Sequence, residues 1–258
     1  MSDVKSNRKV AMVTGGASGI GMAIAKAFVS NGFQVVVVDI NKINQKDTGN
    51  ELKGVFFIEA DLSKPENCKS IIEQTVKEFG RIDILVNNAG FQYISPIEDF
   101  PDDTSEKMFN LMLRTPFLLI KYSIPIMRKN GWGRIINISS IHGLVASPLK
   151  SVYVTVKHGL IGLTKATALE SIQYGITCNA IAPTYADTKL VSDQIPIISK
   201  KLGIDKEKVV PDILMNDSPI KKLLDVDQIT SVVSFLCLEN ASAINGIAIP
   251  IDYGYTAK

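Results

Sequence analysis

Seven short apolar runs recur along the chain: "KVAMVT", "QVVVVD", "VFFIEAD", "IDILVNN", "RIINIS", "ITCNAIAP" and "GIAIPID". Most are continuously apolar instead of alternating, the pattern of strands buried on both faces of a parallel sheet. Between them lie amphipathic stretches with helical spacing, such as "NCKSIIEQTVKEFG" from Asn67 and "DQITSVVSFLCLEN" from Asp227. This alternation of strand and helix predicts an α/β fold, a doubly wound and mainly parallel sheet with helices on both faces. No linker, repeat or low-complexity stretch divides residues 1–258, so one domain is expected. The rhythm breaks once, over residues 185–224, which are rich in Lys and Asp and carry Pro196, Pro211 and Pro219. An insertion after a strand's carboxyl end is where a helical substrate lid would sit. A solvated surface excursion is the other open reading of the same residues.

Composition changes this picture little. The formal charge of +2 is small and not clustered, which argues against nucleic acid or an anionic membrane surface as a partner. The polar start, "MSDVKSNRK", has no apolar signal-peptide core, and no run is long enough to cross a bilayer. Cys68, Cys178 and Cys237 are odd in number and scattered, as expected of structural thiols in a reducing cytoplasm. With His142 and His158 the only histidines, no metal site is expected.

Candidate chemistry clusters at the strand ends. The first strand runs into "TGGASGIGMAIAKAF", placing Gly15, Gly19 and Gly21 at a strand-to-helix turn. Glycines there let the backbone turn sharply and approach a pyrophosphate resting on the helix N-terminus, so the sheet reads as Rossmann-like. The spacing of three residues and then one differs from the commonest G-x-G-x-x-G. The second strand ends in Asp39, whose carboxylate can hold a ribose hydroxyl pair and would repel a 2′-phosphate, favouring NAD over NADP. Asp61-Leu62 closes the third strand, where an aspartate could meet the adenine amino group, and "NNAG", Asn87 to Gly90, closes the fourth. Ordinary turn chemistry also explains Asn, Asp and Gly at such places.

"SVYVTVKHGLIGL" reads as helix and puts Tyr153 and Lys157 four residues apart on one face. An ammonium beside a phenol favours phenolate, which suits an acid/base working near neutrality. A Tyr and a Lys at this spacing also occur on the wet side of ordinary helices.

Thr14-Gly15-x-x-x-Gly19-Ile20-Gly21, "NNAG", a serine after the fifth strand and Tyr153-x-x-x-Lys157, in that order, resemble the short-chain dehydrogenase/reductase family over nearly the whole chain. The resemblance implies that Tyr153 exchanges the proton and that Lys157 holds the nicotinamide ribose and lowers the tyrosine pKa. It implies that Ser140, thirteen residues before Tyr153, binds the reacting oxygen in place of Ser139. It assigns cofactor contacts to Gly15, Ser18, Gly19, Ile20, Gly21, Asp39, Asp61, Leu62, Asn88, Ala89, Gly90, Tyr153, Lys157, Pro183 and Thr188. Within the family, "HGLVAS", "KHGLIGLTK", "TALE", "TKLV" and "KLGID" are most similar to the D-3-hydroxybutyrate dehydrogenases. Gln92, His142, Lys150 and Gln194 then match the donors that grip a substrate carboxylate, with Ser140, Tyr153 and Tyr185 completing the substrate pocket. The implied function is reversible NAD-dependent oxidation of a short 3-hydroxy acid to a keto acid, by a homotetramer joined through the helices bearing Met112 and Tyr153 and through the last strand. Another small alcohol, diol or acyl substrate, or a cofactor-binding member of the family with weak or no catalysis, are the competing readings.

Four positions depart from that pattern. Met112 stands where the family has an asparagine supporting a relay water, and Asn110 lies on nearly the opposite helix face. Thr184 replaces a glycine after Pro183, and Tyr185 replaces a tryptophan. Tyr253 replaces a glycine in "DYGY" near the carboxyl end.

Overall fold

The protein is described here from a computed structural model, which covers residues 8–42 and 52–257; residues 1–7, most of the polar start, lie outside them. The apolar runs become β1 (Val10–Thr14), β2 (Gln34–Asp39), β3 (Phe56–Glu59), β4 (Ile84–Asn87), β5 (Gly133–Ile138), β6 (Ile176–Pro183) and β7 (Ala248–Ile251). They form one sheet in the order β3-β2-β1-β4-β5-β6-β7, with every pairing parallel. The winding reverses between β1 and β4, which opens a crevice at their carboxyl ends.

The continuous apolarity of the strands follows from helices on both faces. Val35 and Val37 of β2 point one way, with α1 (Gly19–Ser30) supplying Ile24 and Phe28 against them. Val36 and Val38 point the other way, into a cluster with Ile71 of α2 (Asn67–Phe79). Asp102–Asn130 is helical throughout, as α3 (Asp102–Phe109) and α4 (Thr115–Asn130) joined by a π-helical turn at Asn110–Arg114. That wide turn was not foreseen, and it contains Met112. The Tyr-Lys segment is α5 (Ser151–Ser171), as its spacing predicts.

Residues 185–224 form a folded unit closed at its base. Ala186 pairs with Leu224, and Leu224 N–H donates to the Tyr185 carbonyl at 2.8 Å while Asp187 N–H donates to the Leu224 carbonyl at 2.8 Å. Inside it are α6 (Lys189–Ser192), α7 (Gln194–Leu202), α8 (Lys206–Lys208) and a second π turn at Val209–Leu214. Val191, Val209, Leu214 and Met215 give the segment its own buried cluster, so it is more than a solvated excursion. Beyond it, α9 (Val226–Leu236) starts at Asp225, whose carboxylate accepts from Asp227 N–H at 3.0 Å. Among the described residues no helix is long and apolar enough to cross a membrane.

Tyr253 takes a left-handed backbone conformation, with φ of +54°, which is costly for a side-chain-bearing residue. Its hydroxyl donates to Gln228 Oε1 of α9 at 3.0 Å, a contact glycine cannot make.

Candidate active site

A cavity of about 440 Å³ opens at the carboxyl ends of the strands, between the β1–α1 turn and the segment 185–224. Its nucleotide end is built from backbone. Gly15 and Gly19 have φ of +64° and +53°, and a Cβ on Gly21 would stand 2.2 Å from the Gly15 carbonyl oxygen. Ser18 precedes α1 in extended conformation without capping it through its side chain, so the first N–H groups of the helix remain free to bind a ligand anion. The β1 and β4 ends are laced together. Asn88 Nδ2 donates to the Thr14 and Gly15 carbonyls at 3.0 and 3.1 Å, and the Asn88 and Ala89 N–H groups donate to Thr14 Oγ1 at 2.9 and 3.1 Å.

Asp39 accepts from Ala17 N–H at 3.0 Å and Asn41 N–H at 2.9 Å, which fixes the carboxylate beside the glycine turn. Asp61 accepts from both the backbone and hydroxyl of Ser63, bonds that hold its carboxyl below the usual range, so it is an ionised acceptor. Gly15, Ser18, Gly19, Ile20, Asp39, Asp61, Leu62, Asn88, Ala89, Gly90, Pro183 and Thr188 all line this one cavity. Gly21 sits just behind the lining, where its bare Cα lets the turn close. Lys107 and Lys189, which no motif flags, line it too, as do Phe91 and Ile40.

At the other end Ser140, Tyr153 and Lys157 come together from β5 and α5. The Ser140 hydroxyl and the Tyr153 phenol line the same cavity, with Ser140 Oγ 3.4 Å from His142 Nδ1, whereas the Ser139 hydroxyl donates to the Lys157 carbonyl at 3.1 Å and is thereby occupied with pinning the strand end to the helix. Lys157 Nζ donates to the Ile138 carbonyl at 2.7 Å and lies 5.5 Å from the centre of the Tyr153 ring. Burial lowers its pKa to about 8. The phenol shift differs from expectation: burial raises Tyr153, with the nearby Ser140 hydroxyl pulling the other way. The ammonium is turned to a carbonyl instead of the phenol oxygen, so desolvation dominates.

The donors expected for a carboxylate divide into two sets. Gln92, His142, Tyr185 and Gln194 line the cavity, while Lys150 does not. Gln92 Nε2 is buried and has no partner. His142 N–H donates to Ser140 Oγ at 3.2 Å, and its ring lies 6.0 Å from that of Tyr153 and 6.1 Å from that of Tyr185. Burial first, then the charge of Lys150, push the imidazole pKa down to about 3, so the ring is neutral. Gln194 differs from expectation, since its Nε2 donates to the Leu190 carbonyl at 2.9 Å and its buried Oε1 is left as an unpaired acceptor. Lys150, 7 % exposed, donates to the Tyr185 hydroxyl.

The departures are accommodated. Met112 is buried in the cavity floor, with its sulfur 3.0 Å from where a Cβ on Gly90 would be, and Asn110 does not reach the cavity. The Thr184 hydroxyl donates to the Met215 sulfur at 3.7 Å, tying the end of β6 to the segment above it.

Residues 9–196 match the model of the short chain dehydrogenase family. An uncharacterized oxidoreductase of Bacillus subtilis is 42% identical, covering 97% of this chain and 99% of its own. A D-beta-hydroxybutyrate dehydrogenase of Rhizobium meliloti is 40% identical over 97% of this chain and 99% of its own. Another protein of that name, from Cupriavidus necator, is 37% identical over 98% and 99%. Among solved structures, levodione reductase superposes with a TM-score of 0.87 at 31% identity, covering 96% of this chain and 98% of its own. Sequence match, strand order and structural neighbour agree, and the chain belongs to the short chain dehydrogenase family of oxidoreductases.

Proposed function

We propose that the protein is an NAD-dependent dehydrogenase that reversibly oxidises a short 3-hydroxy acid, D-3-hydroxybutyrate to acetoacetate. The observation that carries the substrate class is an unpaired buried donor, Gln92 Nε2, in the same cavity as Ser140 and Tyr153. A buried donor with no partner is costly, and an anionic acceptor from a ligand would satisfy it. Two relatives named D-beta-hydroxybutyrate dehydrogenase support the reading.

The nucleotide end fits a dinucleotide, since bare Gly15 and Gly21 let the turn close tightly against Asn88 and Ala89 and the helix N-terminus is uncapped by Ser18. Gly15, Ser18, Gly19 and Ile20 would hold its diphosphate, Asp39 the adenine ribose, and Asp61 and Leu62 the adenine. Asn88 to Gly90, Lys157, Pro183 and Thr188 would hold the nicotinamide half. Bound there, NAD supplies the acceptor for the hydride that leaves the carbinol carbon. Ser140 holds the substrate oxygen, and Tyr153 takes its proton on oxidation and returns it on reduction. His142, being neutral, orients Ser140 without adding charge. The segment 185–224 acts as a lid that excludes water from this step.

Two expected outcomes follow from these groups. Asp39→Ala leaves the Ala17 N–H without its acceptor and removes the ribose carboxylate. NAD affinity should fall on the order of ten-fold or more, and the preference for NAD over NADP should shrink, as measured by equilibrium binding of both reduced cofactors. The second concerns pH. Because burial raises the Tyr153 pKa, the phenolate needed to accept a proton is scarce near neutrality. The kcat for hydroxy-acid oxidation should therefore climb as pH rises above neutral, while that for keto-acid reduction, which needs the protonated phenol, should not. Equal pH profiles in the two directions would contradict this assignment.

The substrate class is tested by comparing 3-hydroxybutyrate with butan-2-ol, a neutral alcohol with the same carbon chain. The carboxylate reading expects kcat/KM to favour the acid by about 10²-fold or more. Equal or better turnover of the neutral alcohol would favour the alternative of another small alcohol. The homotetramer is likewise a proposal, supported by exposed Phe117 on α4 and exposed Leu169 and Ile172 at the end of α5.

A further inference from the structure

Lys150 is a buried cation held by a tyrosine instead of a carboxylate. Its ammonium donates to the Tyr185 hydroxyl and lies 4.8 Å from the centre of that ring, and no acidic side chain among the described residues pairs with it. Tyr185 lines the cavity and Lys150 does not, so the phenol stands between the ammonium and the ligand space. The lysine is placed there at a backbone cost. Leu149, the residue before it, has φ of +65°, and its carbonyl is held by the N–H of buried Ser95 at 3.0 Å. Tyr185 is fixed from the other side, because its carbonyl accepts from Leu224 N–H where the segment 185–224 closes.

A hydroxyl oxygen that accepts from an ammonium has its own proton free to donate, and the adjacent charge makes it a stronger donor. We propose that Tyr185 is the group that contacts the acidic end of the substrate, and that Lys150 is a positioning residue that acts through the Tyr185 hydroxyl. This rests on the reading of the cavity as a hydroxy-acid site. The net positive charge stays one bond removed from the ligand, and Gln92 supplies a second, neutral donor.

The test is a double-mutant cycle on the full chain with Tyr185→Phe and Lys150→Met, using acetate titrated into the NADH-saturated protein as the binding probe. Each single variant should weaken acetate by about ten-fold, and the double variant should be no worse than the weaker single within about two-fold. NADH affinity should not change in either. With 3-hydroxybutyrate, KM should rise by a similar factor while kcat moves less than about three-fold, a split that general loosening of the fold would not give. If Lys150→Met costs as much in the Tyr185→Phe background as in the wild type, the ammonium touches the ligand directly and the proposal is overturned. Wild-type acetate binding that neither variant alters overturns it too, while leaving the carboxylate reading intact. A wild type that turns over a neutral alcohol and binds no acetate removes both.

Discussion

Replacing Tyr153 by phenylalanine should lower kcat for hydroxy-acid oxidation by about 10³-fold while leaving NADH affinity within about two-fold. Only the phenol oxygen is lost. The ring stays in its packing against Met108, Met112 and Val156, so the fold has no reason to change. Ser140 keeps the His142 N–H, and Lys157 keeps the Ile138 carbonyl. The cofactor cradle, built from the β1–α1 turn and the ends of β2, β3 and β4, is untouched. Stopped-flow hydride transfer and NADH fluorescence titration on the same preparation separate the two effects. A variant that retains more than a tenth of wild-type kcat would mean that another group moves the proton.

Gly21→Ala should be the most damaging single methyl addition at the nucleotide end. The new Cβ would lie 2.2 Å from the Gly15 carbonyl oxygen and 2.5 Å from Asn88 Nδ2. Neither can yield cheaply, because Asn88 Nδ2 bonds both that oxygen and the Thr14 carbonyl. Relief requires opening the lacing between β1 and β4, at about 3 kcal/mol. A drop in Tm of about 5–10 °C is expected, together with loss of measurable NADH binding. Gly162→Ala is the matched control. It lies in α5, a Cβ there meets nothing within 4 Å, and its φ is not positive. That change should be neutral or stabilise by up to about 1 kcal/mol, since alanine favours helix over glycine. Similar losses in both variants would show that the cradle is not the rigid element described.

The sheet was legible because burial on both faces leaves a mark that survives at the level of single residues: Val35 through Val38 are all apolar since successive side chains meet opposite helix layers. The glycine turn and the Tyr153–Lys157 spacing were legible for a similar reason, each being a local geometry that only certain residues at fixed offsets permit. What sequence did not reveal depends on where a side chain is drawn by distant backbone. The Lys157 ammonium is taken by the Ile138 carbonyl, nineteen residues away, so its spacing from Tyr153 did not translate into a lowered phenol pKa. Lys150 points to Tyr185 and not into the cavity, after a left-handed Leu149 that no residue pattern announces. Gln194 spends its nitrogen on Leu190 one turn back, a bond open to any glutamine on a helix. The π turn that carries Met112 is set by a hydrogen-bond register, and its residues read as ordinary helix. Lys107 and Lys189 were missed because exposed lysines on polar helices give no signal until the fold brings them to a common wall.

The central claim is oxidation of a short hydroxy acid, and its most direct test is the initial rate of NADH formation from NAD with D-3-hydroxybutyrate, beside the L-enantiomer. Saturable turnover selective for the D form is the expected result. Tight NADH binding with no turnover of either enantiomer would contradict it.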